Sequence, residues 1–138
     1  MSKVISTRLQ DGTFQRLSRV ARILDKTPSD TVATLVEESL REMEFALIEF
    51  RSSPLGRQAF MQGSSLAVWE VIETARQYQM NEKKVAGHFE RSLEWVKAAF
   101  NYAEAYPEEI DLSIQDSQAI TLTDLKRQLP NLEVFSVD

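Results

Sequence analysis

Six basic side chains fall within the first 26 residues: Lys3, Arg8, Arg16, Arg19, Arg22 and Lys26. Only Asp11 and Asp25 oppose them, so this stretch stands at +4 in a chain whose net charge is −5. Clustered guanidinium groups attract phosphate oxygens. Charge acts locally, within a Debye length of roughly 10 Å, so an acidic chain can still carry a polyanion-binding end. The plain alternative is a solvated charged helix. Residues 27–50 reverse the sign, with Asp30, Glu37, Glu38, Glu42, Glu44 and Glu49 against Arg41, a net −5. Residues 51–110 come to −1 and residues 111–138 to −3.

Catalytic and metal chemistry find less to work with. His88 is the single histidine and there is no cysteine, which excludes disulfides and thiolate metal sites. The pairs Glu37–Glu38 and Glu108–Glu109 are adjacent in sequence and cannot both converge on one point from a helix. No glycine-rich phosphate loop or nucleophile motif occurs. An enzyme is therefore not expected, nor a metal or cofactor. Hydrophobic residues make up 43%, enough for a core, while 4 Gly and 4 Pro argue against a disordered or fibrous chain. No apolar run approaches the roughly 20 residues of a membrane helix. The start MSKVISTRLQ lacks the apolar core of a leader peptide. The expectation is a cytoplasmic protein with no membrane partner.

The elements that must position the arginines follow from periodicity. Val4 to Leu9 alternates, Ile5, Thr7 and Leu9 on one side and Val4, Ser6 and Arg8 on the other, which predicts a short strand. Asp11 and Gly12 punctuate the chain. From Phe14, the positions Phe14, Leu17, Ala21 and Leu24 recur at helical spacing. In 27-TPSD-30, Thr27 can cap a second helix, Pro28 suits its first position and Asp30 takes the capping-box position. That helix is expected to run to about Phe50, with Val32, Leu35, Val36, Leu40, Met43 and Leu47 inward.

One strand and two amphipathic helices cannot bury their apolar faces alone, and a lone strand leaves both edges unpaired. An intertwined homodimer is the economical solution. Residues 3–45 resemble the Arc/MetJ/CopG-type ribbon-helix-helix family on these features. The resemblance implies that the ribbon enters the major groove of double-stranded DNA, with Val4, Ser6 and Arg8 reading base edges. It places Ile5, Thr7 and Leu9 in the dimer core, joined by Phe14, Leu17, Val36 and Leu40. It makes the second helix's start, Thr27, Pro28 and Ser29, a phosphate clamp, to which Arg16, Arg19 and Arg22 add phosphate attraction. Val4 departs from the polar residue usual in that family, and Asp30 sits beside the clamp. A ribbon-helix-helix dimer that never reads DNA is the alternative.

Residues 51–110 predict a second unit, a small three-helix domain with a short β-hairpin. The stretch 51-RSSPLGRQAFMQGSSLAVWE-70 is a composition break. Within it, 58-QAFMQGSSLAV-68 predicts a strand, a turn at Gln62–Ser64, and a second short strand leading into a helix to about Gln79. Asn81 can cap the next helix and Ser92 a third, running to about Tyr106. The third helix carries two apolar stripes, one including Val96 and the other Trp95 and Tyr102. That breadth exceeds what three helices should bury, so Trp95 and Tyr102 are candidates for partner binding. The spacing of Ala86, Phe89, Ser92 and Val96 also fits a helix-turn-helix, although Glu90 stands where the turn favours glycine. Packing or pairing of dimers into a dimer of dimers is the competing role. Residues 55–109 resemble a small trihelical domain of unknown function common in bacterial VapB-type antitoxin-like proteins. The matching features are 56-GRQAFMQGSSLAVW-69, a Glu-rich start to the second helix, and 98-AAFNYAEAYPEE-109. Ser65 stands where that family often has a basic residue. The resemblance implies a PIN-type ribonuclease toxin as partner, and repression of the protein's own operon.

Residues 111–138 read as a tail, with 110-IDLSIQDSQA-119 acidic and without helical periodicity. A short helix beginning at Thr121 or Thr123 is ended by Pro130, and 132-LEVFSV-137 alternates like a strand. Leu132, Val134 and Phe135 are candidates for toxin binding, and addition of that strand to the middle hairpin is the equal alternative. The fold class expected is thus mostly α: a ribbon-helix-helix arm over 1–50, the trihelical unit over 51–110 and a helix-strand tail. The function expected is a nucleoid-associated, sequence-specific transcription regulator acting as an antitoxin. A stand-alone regulator is the alternative, and an interaction scaffold the weaker one.

Overall fold

The computed structural model describes residues 2–119 and 122–131. The chain divides into two compact units, Met1–Glu44 and Phe45–Asp138.

In the first unit residues 2–10 hold no regular structure, α1 spans Asp11–Ile23 and α2 spans Pro28–Glu44. Asp11 sits in the first turn of α1, where a carboxylate favours the positive end of the helix dipole. The helix ends where Asp25 turns left-handed, at φ 54°. The Lys26 N–H then reaches back to Ala21 O at 2.9 Å and closes the end. Thr27 starts α2: its Oγ1 accepts from the Asp30 N–H at 3.1 Å, and its carbonyl accepts from Thr31 Oγ1 at 2.9 Å. Helices α1 and α2 pack on each other.

This order overturns the strand-first ribbon-helix-helix topology expected from Val4–Leu9. The described residues contain one sheet, a two-stranded antiparallel hairpin that follows the two amino-terminal helices. Alternation over six residues does not make a strand unless another segment offers its main-chain groups a ladder, and no described segment does so for residues 4–9. Nor does α2 continue to Phe50. It stops at Glu44, and Leu47 is left-handed at φ 62°.

The second unit opens with that hairpin. Strand β1 spans Ile48–Ser53 and β2 spans Gly56–Met61, in register Ile48↔Met61, Phe50↔Ala59 and Ser53↔Gly56. The tight turn at Pro54–Leu55 needs φ 100° at Gly56, a conformation only glycine adopts without strain. The expected hairpin was placed one strand too late: its first strand is β2, and its second is a single Phe60↔Ala67 bridge.

Four helices follow: α3 Val68–Gln77, α4 Glu82–Phe89, α5 Leu93–Ala105 and α6 Pro107–Ala119. The Glu70 carboxylate accepts from the Ala67 N–H at the start of α3. Asn81 Oδ1 accepts from the Lys84 N–H, and Ser92 Oγ from the Trp95 N–H, so both expected caps are made. Residues 110–119 are helical because Ile110 and Ile114, one turn apart, are buried on the core. The unit therefore has four packed helices where three were expected, and α6 takes apolar surface of α5 that seemed surplus. A short helix α7 covers Leu122–Gln128. The expected strand at 132–137 lies outside the described residues, as do Leu132, Val134 and Phe135.

The core of this unit joins Met61 of β2 to Val68, Val71, Ile72 and Ala75 of α3, Val85 of α4, and Val96, Ala99 and Tyr102 of α5. Helix α5 packs on α3, α4 and α6. A recognition helix must lie at the surface, and this one is the centre of its unit, so the helix-turn-helix arrangement is also overturned.

Candidate nucleic-acid and association surfaces

Arg41 of the first unit pairs with Glu37 at 2.9 Å, but four other arginines there are exposed. Arg8 lies on the extended residues before α1, and Arg16, Arg19 and Arg22 lie on α1 at intervals of three. All four are exposed. Among the described residues no ion pair or hydrogen bond engages their side chains. Lys26 differs, since its Nζ donates to Thr34 Oγ1 at 2.9 Å and ties the interhelix loop to α2. Thr27, Pro28 and Ser29 are exposed at the start of α2, where the first main-chain N–H groups lie.

Cations of the second unit are largely engaged. Arg51 pairs with Glu49 and donates to Ser64 O at 2.7 Å. Arg76 pairs with Asp111 at 2.5 Å, and Arg57 donates to Ser52 Oγ at 3.2 Å. The Arg91 guanidinium lies over the Trp95 ring, 5.4 Å from its centroid, within reach of a cation–π attraction. Lys97 approaches Glu82 at 4.0 Å.

The first unit also carries apolar surface that its own helices do not cover. Ala21 is its single buried apolar residue among those described, whereas Phe14 is 52% exposed, Val36 52% and Leu40 48%. Leu9, Leu17, Val20, Val32, Leu35 and Val36 line an open groove of about 470 Å³. Thr13, Arg16 and Ser39 complete its wall. A neighbouring depression of about 450 Å³ shares Leu9, Leu17 and Val32 and adds Ile5, Thr7 and Phe14. Six of the seven residues read as dimer core therefore sit along two adjacent hollows, and Leu40 lies outside both. The sequence reading did not single out Val20, Val32 and Leu35 as site residues, although their helical spacing carried the signal.

No family model matches the chain, and no curated protein or solved structure matches it either. The resemblance to VapB-type antitoxins thus rests on the residues quoted for it.

Of the remaining site candidates, Val4 and Ser6 are exposed beside Arg8 on the extended segment. Trp95 and Tyr102 are core residues, 5% and 0% exposed, and offer no surface to a partner. They are enclosed by α3, α4 and α6 and by aromatic side chains, with Phe45 before β1 and Phe50 on it edge-on to Tyr102 at 5.4 and 6.3 Å. His88 is exposed, its Nδ1 3.0 Å from the Tyr78 hydroxyl and its ring against Phe89. Among the described residues no three His, Asp or Glu side chains gather as a metal site, and no helix is long and apolar enough to cross a membrane.

A cleft of about 190 Å³ in the second unit brings Arg57, Gln58, Trp69, Ser113 and Asp116 together. Its polar groups bond to one another: Trp69 Nε1 donates to Gln58 Oε1 at 3.0 Å, and Gln58 Nε2 donates to Ser113 Oγ at 3.2 Å. This network fastens the hairpin to α3 and α6.

Proposed function

We propose that the chain is a DNA-binding transcription regulator that works as a homodimer, with its first unit on the nucleic acid. The observation that carries this reading is the set of four exposed arginines at positions 8, 16, 19 and 22, none held by an acid among the described residues. Unpaired guanidinium groups on one small unit are suited to phosphate, and Arg8 can also give two parallel hydrogen bonds to a guanine edge. Val4 and Ser6 flank Arg8 on the same extended segment, and Thr27–Ser29 add main-chain donors at a helix start. The uncovered apolar face of α1 and α2 supports association of two copies, since exposed apolar surface of this kind costs free energy until it is covered.

The resemblance of residues 55–109 extends the proposal to an antitoxin that binds a PIN-type ribonuclease and represses its own operon from the nucleoid. Burial of Trp95 and Tyr102 removes two candidate toxin contacts and favours the second reading, a stand-alone regulator. Binding of the full chain to a duplex from its own upstream region, against scrambled duplex at fixed salt, tests the DNA reading. Equal or absent binding to both would sink sequence-specific regulation. Co-purification with the product of an adjoining reading frame separates antitoxin from stand-alone regulator.

A further inference from the structure

The cleft of about 190 Å³ in the second unit has room for about six waters at a liquid share of roughly 30 Å³ each. Pockets for cofactors and drug-sized ligands run to roughly 300–1,000 Å³, so a group the size of one side chain is what fits. The chemistry of that group follows from which lining groups are already used. Gln58 is engaged at both ends, accepting from Trp69 Nε1 and donating to Ser113 Oγ. Arg57, the single cation of the lining, is committed to β1, where it donates to Ser52 Oγ at 3.2 Å and to Phe50 O at 3.5 Å. Glu109 holds the Tyr102 hydroxyl and offsets the Arg57 charge. Asp116 differs: among the described residues no ion pair or hydrogen bond engages its carboxylate. It brings an uncompensated negative charge to a lining that also holds the Trp69 indole and the apolar Leu55 and Leu112. Carboxylate, aromatic ring and aliphatic surface together suit a cation carried on an aliphatic stem.

We propose that this cleft binds an alkylguanidinium, the end group of a partner protein's arginine or of a free guanidino compound. Asp116 accepts two of its N–H groups, Trp69 offers its ring to the guanidinium plane, and the leucines take the stem. The bond from Trp69 to Gln58 fixes the indole beforehand, so little ordering is left for the binding step. The site is independent of the DNA reading of the first unit.

Titration of the full chain with n-butylguanidinium, its neutral isostere n-butylurea, and butyrate provides the test. Nitrogen-15 NMR follows the Trp69 indole and the Gln58 side-chain amide. Butylguanidinium should shift both signals to saturation and bind about fivefold more tightly than butylurea, the size of one exposed ion pair. Asp116→Asn, at an exposed position, should erase that preference, whereas Glu94→Gln on α5 keeps it. An unmoved Trp95 indole signal shows that each variant is folded. Binding of a capped Gly-Arg-Gly peptide tenfold tighter than butylguanidinium assigns the cation to a partner protein. Equal or weaker peptide binding assigns it to a free guanidino compound. Equal binding of the urea and the guanidinium would mean that the cleft reads shape alone, and the proposal is wrong. Preference for butyrate would show that Arg57 governs the cleft, and overturns it as well. So does a Trp69 signal that no probe moves, or an Asp116→Asn variant that keeps the preference.

Discussion

The Tyr102 hydroxyl, wholly buried in the second unit, donates to Glu109 Oε2 at 2.5 Å and links α5 to the first turn of α6. Glu109 is itself exposed, so water can replace the phenol when it is removed. Tyr102→Phe should cost about 1.5 kcal/mol, the lower end for a bond to a charged group. Urea unfolding followed by far-ultraviolet circular dichroism measures it. A loss above about 3 kcal/mol would show that α6 depends on this one contact.

The Trp95 Nε1–H is buried and has no acceptor among the described residues. Trp95→Phe removes that unsatisfied donor together with some volume, and weakens the Arg91 contact. The opposed effects should leave stability within about 1 kcal/mol. Trp95→Ala keeps only the losses and should cost about 3–5 kcal/mol. Similar costs for both variants would mean that the indole nitrogen finds a partner in solution.

Val36 is half exposed in the single chain and lines the groove. Val36→Lys should leave the separate chain folded, because it removes little buried area, yet abolish association by placing a charge in the covered face. Sedimentation velocity across a hundredfold range of concentration reads the difference. Unchanged association would place the contact between copies elsewhere.

Arg8 and the α1 arginines should separate in their effects on DNA. Arg8→Ala should weaken operator binding by about 1–3 kcal/mol per copy and scrambled duplex much less. The Arg19→Gln, Arg22→Gln double variant should weaken both alike. Its plot of log affinity against log salt should flatten by about 3.6 for the dimer, about 1.8 per copy, if both residues neutralise phosphates. Fluorescence anisotropy at several salt concentrations gives both quantities. Equal losses on both duplexes for Arg8→Ala would reduce that residue to a phosphate contact.

The sequence showed where local chemistry decides. Thr27, Asn81 and Ser92 cap helices as their positions require, because a hydroxyl or amide next to free main-chain donors needs nothing from the rest of the chain. It was silent where tertiary packing decides. Residues 110–119 looked irregular since only Ile110 and Ile114 meet the core, too few to set a visible period. Strand β1 was hidden in an apparent continuation of α2, because Leu47 makes the break and leucine is not a turn signal. Val4–Leu9 showed the reverse failure, a strand pattern with no ladder partner. Of the proposed surfaces, the arginine cluster was plain in the charge count. The groove needed the arrangement of α1 and α2 to separate Val20, Val32 and Leu35 from residues that are merely apolar.

The joints of the second unit bear on how it could be divided. Leu47, Gln79, Met80 and Glu90 all hold positive φ between 51° and 62°, a conformation that costs a side-chain residue roughly 1–2 kcal/mol. No local preference keeps these bends, so the docked elements on either side must hold them. A fragment cut beside Gln79–Met80 or Glu90 loses that hold and relaxes toward ordinary backbone. The unit is thus ill suited to being split into complementing halves or rejoined in a permuted order. Glycine at Met80, an exposed position, is the change that would make this region more modular.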